Sequence, residues 1–267
     1  MTTTPDQYVL ECVDLRKTYP NGKEAVKGVS LAIRPGETHG LVGESGSGKS
    51  TVSRMALMLE RPTSGTVRLL GTDLTSLSSS QLRKRRGVMQ LVMQDPVAAL
   101  NRSRSVGHAV ELPLQLHTTM SRAERHERVG ELFDLVGLDR GMASRHPAEL
   151  SGGQCQRIGI ARALALNPEL VVLDEAVSAI DVVMQAQILN LLRELQERLG
   201  LTYLFVSHDL AVVKYMSHTM TVMRDGIVEE QGAGDVVFRT STNPYTRELI
   251  DAVPRFEHVA TGSTQTA

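Results

Sequence analysis

The sequence predicts an α/β protein: a parallel sheet buried on both faces, with an antiparallel β layer near the N-terminus and a block of helices inserted midway. Three observations carry this reading. The uninterrupted apolar runs Leu170-Val171-Val172-Leu173 and Tyr203-Leu204-Phe205-Val206 alternate with segments of helical character, as strands joined by crossover helices do. Thr38 to Val42 is a third short apolar run, and it leads into a glycine-rich loop and then a helical pattern. From about Asp95 to Gly153 the pattern is helical throughout.

In chain order, Tyr8 to Leu41 reads as short strands with turns at Asn21-Gly22 and Pro35-Gly36, where Gly or Asn supplies backbone angles that other residues resist. This is the expected antiparallel edge layer. After the strand at Thr38 to Val42 and its loop, Lys49 to Leu59 carries Val52, Met55, Ala56 and Leu59 at helical spacing. Within the helical block, Ser121-Arg122-Ala123-Glu124 forms a capping box, in which hydroxyl and carboxylate satisfy opposite backbone N–H groups. Val129, Leu132, Phe133 and Val136 make one apolar face, closed by Gly137 as a C-cap. Further helices are expected from about Cys155 to Ala165 and through Gln187 to Leu199. The expected organisation is one domain over 8–259, with the helical part at about 95–157 and flexible tails at 1–7 and 260–267, the last rich in Thr, Gly, Ser and Gln.

Composition narrows the function classes. The 267 residues are 41% hydrophobic and 22% charged, the balance of an ordinary packed domain. No apolar run reaches the roughly 18 residues that a membrane-spanning helix needs, and Met1 to Asp6 lacks the regions of a signal peptide, so a cytosolic location is expected. Cys12 and Cys155 match neither a disulfide framework nor a paired metal-ligand spacing and are expected as reduced thiols. A formal net charge of −1, with 3% aromatics and no Trp, argues against nucleic acid as a partner. The basic cluster Arg83-Lys84-Arg85-Arg86 reads as a solvated helix face.

The chemistry concentrates at a few places. Gly43-Glu44-Ser45-Gly46-Ser47-Gly48-Lys49-Ser50, followed by Thr51, fits the phosphate-binding P-loop pattern. Its glycines let successive N–H groups turn inward around phosphates, and the following helix N-terminus adds partial positive charge. Lys49 then reaches the β- and γ-phosphates, and the Ser50 hydroxyl coordinates magnesium. Downstream, the run Leu170 to Leu173 ends in Asp174-Glu175. A carboxylate at the carboxyl end of a parallel strand faces the ligand crevice, so Asp174 is placed to hold magnesium and Glu175 to polarise an attacking water. Alone, such a pair reads more simply as an ordinary strand end; the P-loop shifts the balance to chemistry. Leu150-Ser151-Gly152-Gly153-Gln154 precedes a helix and offers a second anion-binding nest. Two nests for one triphosphate imply a dimer, in which this loop of one subunit closes over the P-loop of the other.

In these residues and their order the chain resembles the nucleotide-binding subunits of ABC transporters, across nearly its whole length. The resemblance implies a P-loop NTPase (RecA-like) core with ATP and Mg2+ as ligands, the P-loop as Walker A, Leu170 to Glu175 as Walker B and Leu150 to Gln154 as the signature. It also implies that Tyr19 stacks on adenine, that Gln94 is the Q-loop glutamine near magnesium and the membrane subunit, and that Ser178-Ala179-Ile180-Asp181 is the D-loop at the dimer seam. His208 corresponds to the switch histidine at the γ-phosphate. Taken singly, Tyr19 reads more simply as a half-buried strand residue and Gln94 as a surface polar group, and His208 is equally a structural histidine. His39, His117 and His146 show no ligand spacing and are expected to be structural or exposed.

Gln94-Asp95-Pro96 through Asn101, Asp174 to Leu192, and Asn243-Pro244-Tyr245-Thr246-Arg247-Glu248-Leu249 through Pro254 resemble the dipeptide, oligopeptide and nickel uptake subfamily. Val97, Ser103, Ile180 and Cys155 depart from its usual pattern without removing a catalytic group. What this implies is an ATP-hydrolysing importer subunit, peripheral on the cytoplasmic face of the membrane. Its expected partners are a second ATPase subunit, two transmembrane permease subunits and, indirectly, an extracellular solute-binding protein. Another transporter class, a soluble ABC protein and a non-catalytic subunit are the alternatives.

Overall fold

The computed structural model describes residues 8–178 and 180–253. The expectations for the tails at 1–7 and 260–267, for the end of the domain at 254–259 and for Ala179 lie outside the described residues. Two sheets organise the rest. Strands β1 (Leu10–Thr18) and β2 (Glu24–Ile33) pair antiparallel around a turn in which Gly22 takes a positive φ of 81°. Strands β4 (Ser64–Leu69) and β5 (Thr72–Asp73) extend this layer in the order β2-β1-β4-β5. The antiparallel layer therefore recruits a segment beyond the one read from sequence.

The second sheet has six strands in the order β10-β9-β3-β8-β7-β6. Its members are β3 (Thr38–Val42), β6 (Met89–Val92), β7 (Leu170–Asp174), β8 (Thr202–Ser207), β9 (Thr219–Arg224) and β10 (Ile227–Ala233). All pairings are parallel except the β9–β10 hairpin, whose two-residue turn places Asp225 at φ 48° and Gly226 at φ 84°, the angles of a type I′ turn. The apolar runs alternate between two cores. Leu170, Val172, Leu204 and Val206 face the side shared with the antiparallel sheet, and Val171, Leu173, Tyr203 and Phe205 face the other. Burial on both faces is the reason those runs are continuous rather than alternating.

Helix α1 (Lys49–Ala56) buries Val52, Met55 and Ala56 in the core between the two sheets. It stops earlier than its pattern suggested: Met58 takes φ 50°, and Leu59 lies exposed beyond the helix. Helix α2 (Ser79–Arg85) carries the basic cluster, with Arg83, Lys84 and Arg86 in solvent. Between β6 and β7 the chain forms α3 (Val106–His117), α4 (Arg122–Leu135), two short 3-10 turns and α5 (Gly152–Leu164). Residues 93–105 are turns rather than helix, since Asp95 and Asn101 accept from backbone N–H groups two and three residues on. The Ser121 capping box forms, with Ser121 accepting from Glu124 N at 3.3 Å and Glu124 from Ser121 N at 2.6 Å. Gly137 sits at φ 70° while Leu138 N donates to Phe133 O and Gly137 N to Asp134 O, a Schellman closure. Helices α6 (Val182–Leu199), α7 (Leu210–Met216), α8 (Gly234–Thr240) and α9 (Pro244–Asp251) complete the chain. Among the described residues no helix is long and apolar enough to cross a membrane.

Candidate active site

Parallel register sets the site. Val42 of β3 lies opposite Ser207 of β8, Val206 opposite Asp174 of β7, and Leu173 opposite Val92 of β6. The segments that follow these strands therefore leave the sheet at one edge: the P-loop after β3, His208 after β8, Glu175 after β7 and Gln94 after β6. The P-loop and three of the predicted residues are aligned by strand pairing alone, at the carboxyl ends where an open α/β sheet binds its ligand.

The loop is built as its glycines require. Gly46 and Gly48 have φ of 84° and 103°, and a Cβ on Gly48 would lie 2.6 Å from the carbonyl of Ala25 in β2. Gly43 is equally closed, its Cβ position lying 2.1 Å from Met223 O. Glu44, Ser45 and Gly46 are exposed, whereas Ser47 and Lys49 are buried. Gly226 N donates to Ser47 O at 3.0 Å, so the β9–β10 hairpin supports the loop from below.

The Lys49 ammonium, 4% exposed, donates to Gly43 O at 2.7 Å and Glu44 O at 2.8 Å. Burial lowers its pKa, opposed by the charges of Glu175, Asp174 and Glu44. One helical turn presents two hydroxyls to one carboxylate: Ser50 Oγ donates to Asp174 Oδ1 and Ser53 Oγ to Asp174 Oδ2, each at 3.3 Å. Burial raises the pKa of Asp174, and the two serines oppose that rise. Glu175 is a non-glycine residue at φ 49°, with its N–H on Val206 O at 2.9 Å and its carboxylate 3.5 Å from His208 Nδ1. Glu175 is half-buried and His208 exposed, so the pair lies at the mouth of the site. Thr51 follows Ser50 within α1.

The other predicted residues make no hydrogen bond or ion pair to this cluster among the described residues. Tyr19, half-buried in the turn after β1, donates from its hydroxyl to Glu60 Oε2 at 3.2 Å, with Lys17 Nζ 5.4 Å from the ring centre. Gln94 is exposed. Ser151 caps α5, accepting from Gln154 N at 3.2 Å while Gln154 accepts from Ser151 N at 2.9 Å. Gly153 lies beneath, against Met184 at the start of α6, and Asp181 caps that helix by accepting from Met184 N at 2.9 Å. Among the described residues no hydrogen bond or ion pair joins Ser151, Gly152, Gly153, Gln154 or Asp181 to the P-loop. Val182 and Val183, next to Asp181, are 80% and 70% exposed.

Some features were not anticipated. Tyr245 of α9 touches the P-loop, its hydroxyl accepting from Glu44 N at 3.2 Å, and Ser53 joins Ser50 on Asp174. Ser53 was open to view in the helical spacing, three residues after Ser50; the Tyr245 contact, across 201 residues, carried no local signal. The remaining histidines behave as expected. His39 is buried between the hydroxyls of Thr219 and Thr221, and His117 and His146 are exposed. Both cysteines are free and buried, and burial raises the Cys155 thiol pKa despite its place in the first turn of α5.

Comparison with known proteins agrees with this geometry. The family described as "ABC transporter" matches residues 26–178. The chain is 53% identical over 231 residues to the oligopeptide transport ATP-binding protein OppD of Mycobacterium tuberculosis, covering 86% of this chain and 38% of that protein, so it spans well under half of that relative. It is 44% identical over 265 residues to the oligopeptide transport ATP-binding protein AppF of Bacillus subtilis, covering 95% and 80%. A solved dimer of the ATP-binding cassette MJ0796, bound to ADP and Pi, superposes with a TM-score of 0.76 at 34% identity, covering 84% of this chain and 98% of that one. With the core motifs in place and the matched family covering more than half of its length, the chain belongs to the ABC transporter family.

Proposed function

We propose that this chain is the ATP-binding and ATP-hydrolysing subunit of an importer that energises uptake of peptides or a similar small solute across the cytoplasmic membrane. One observation carries the reading: Lys49, Ser50, Asp174, Glu175 and His208 lie together at one edge of the parallel sheet, while the second nest at Ser151 makes no bond to them. A loop of that kind, exposed on the same chain, serves a second copy or homologue. Exposed Asp181, Val182 and Val183 beside it support a seam at the same place.

The donor set suits magnesium. Ser50 and Asp174 offer a hydroxyl and a carboxylate oxygen 3.3 Å apart, hard oxygen ligands of the type that ion takes alongside phosphate and water. Held by Ser50 and Asp174 beside ATP, the ion would supply neutralisation of the charge that develops during phosphoryl transfer. The chain's own groups do the rest. The P-loop N–H groups from Ser45 to Thr51 and the Lys49 ammonium hold the triphosphate, Gly43 and Glu44 shape the loop with the Glu44 N–H on the Tyr245 hydroxyl, and Tyr19 offers a ring for adenine. Glu175 orients and deprotonates a water, His208 contacts the γ-phosphate, and Gln94 reports its state towards the membrane subunits. Ser151, Gly152, Gly153, Gln154 and Asp181 complete the site of the opposite subunit. Binding draws two subunits together, and loss of phosphate after hydrolysis releases them.

The names of OppD and AppF favour peptides over nickel, metal chelates or export as cargo. The partners that follow are a second ATPase subunit, two permease subunits and an extracellular solute-binding protein, with the chain peripheral on the cytoplasmic face. The test is Glu175→Gln in the chain with its cognate ATPase partner. Mg-ATP affinity is retained, turnover falls at least about a hundredfold for loss of a general base, and a nucleotide-bound dimer accumulates on gel filtration. Normal steady-state phosphate release in that variant refutes the assignment.

A further inference from the structure

Tyr245 connects the C-terminal helix to the P-loop, and its position is held from several sides. Asn243 caps α9 by accepting from Tyr245 N at 2.9 Å and Thr246 N at 3.1 Å, while its Nδ2 donates to Glu229 O at 3.2 Å. Glu229 belongs to β10, so the first turn of the helix is pinned to the catalytic sheet. Pro244 at the first helical position fixes φ there at no cost in hydrogen bonds. The Tyr245 ring is buried, with the Arg224 guanidinium 4.8 Å from its centre.

From that fixed base the hydroxyl accepts from Glu44 N at 3.2 Å. This N–H shares a planar peptide group with Gly43 C=O, and Gly43 O accepts from Lys49 Nζ at 2.7 Å. A bond on the N–H side of a rigid amide sets the direction of the carbonyl on its other side. The phenol oxygen therefore acts on the ammonium through one peptide plane.

We propose that Tyr245 is a positioning residue for the P-loop: its hydroxyl fixes the Gly43–Glu44 peptide, and through it Lys49, so that the loop is set in advance for a triphosphate. The inference rests on the ATP-binding reading above. Preorganisation of this kind acts on affinity, because the entropy of ordering the loop is then already spent before the ligand arrives. The bond lies away from Glu175 and leaves the hydrolytic step itself untouched.

The experiment uses the full chain and Tyr245→Phe, which keeps the ring and removes only the hydroxyl. Tyr215→Phe is the control, since that hydroxyl bonds Asn190 between α7 and α6. Mg-ATP affinity is measured by titration calorimetry, KM and kcat by phosphate release, and Tm without nucleotide. Tyr245→Phe weakens Mg-ATP binding about three- to tenfold, the effect of one hydrogen bond. KM rises in proportion while kcat stays within about twofold, and Tyr215→Phe leaves Kd unchanged. A lower Tm with unchanged Kd and KM means that the hydroxyl serves folding alone, and overturns the proposal. Wild-type chain that fails to bind Mg-ATP removes the ATP-binding reading and this inference with it; wild-type binding matched by Tyr245→Phe removes only the inference.

Discussion

Lowering the pH should destabilise this protein through one side chain on the strand that leads into the P-loop. His39 of β3 is 1% exposed, with Nδ1 2.8 Å from Thr219 Oγ1 and Nε2 2.9 Å from Thr221 Oγ1. Burial lowers its pKa from the ordinary 6.5 to about 4, because the imidazolium has no water and no counter-charge there. The unfolded chain thus takes up a proton at a higher pH than the native one. The stabilisation is complete above pH 6.5, is lost as pH falls below that value, and levels off below pH 4. At about 1.36 kcal/mol for each pH unit separating the two pKa values, the limiting loss is about 3 kcal/mol. Between pH 7 and pH 5 it amounts to about 2 kcal/mol, a large share of a typical folding free energy. Urea unfolding of wild type and His39→Gln at pH 7, 6 and 5 isolates the contribution, because other titrating groups cancel in the difference. The wild type loses about 2 kcal/mol more than the variant over that range. Parallel pH dependences in the two proteins refute the reasoning.

Helix α5 supplies a paired test on glycine. A Cβ on Gly153 would lie 2.4 Å from Met184 Sδ, whereas Gly159 has no heavy atom within 4 Å of that position. Gly159→Ala should stabilise by about 0.5–1 kcal/mol through helix propensity, and Gly153→Ala should destabilise by about 1–3 kcal/mol through overpacking; chemical denaturation reads both, and equal effects contradict the packing described. The thiols offer a second check. Burial pushes Cys12 up to about 12 and raises Cys155, so neither should react with a thiol reagent at pH 8 until denaturant is added, and rapid labelling of the native chain contradicts their burial.

What could be read from the sequence was what local chemistry determines. The P-loop glycines, the acidic pair after an apolar run, the Ser121 box and the Gly137 closure each need only neighbours within a few residues, and each took the expected form. The misses have more than one cause. Strand β4 joins the antiparallel layer by pairing with β1, from Leu10↔Leu69 to Arg16↔Ser64, a choice made by distant partners. Helix α6 begins at Val182, but two exposed valines in its first turn break the amphipathic pattern that marks the helix later on. The β9–β10 hairpin was legible in Asp225-Gly226 and passed unread. At the site, the positions of the P-loop, Gln94, Glu175 and His208 follow from strand register, and the Ser151 nest from its glycines and the helix it opens; Tyr19 and the roles of Gln94, Asp181 and His208 came only through family resemblance, since no short-range feature ties those side chains to the phosphates.

The grip of Ser50 and Ser53 on the two oxygens of Asp174 has a consequence for how this sequence can change. Adjacent residues on a helix point about 100° apart, so only positions three or four apart share a face. One residue inserted or deleted between the two serines would rotate one hydroxyl out of the grip, whatever its chemical character. Spacing at this point is therefore as constrained as the identity of the two serines: the residues between them can be substituted, but one cannot be inserted or removed.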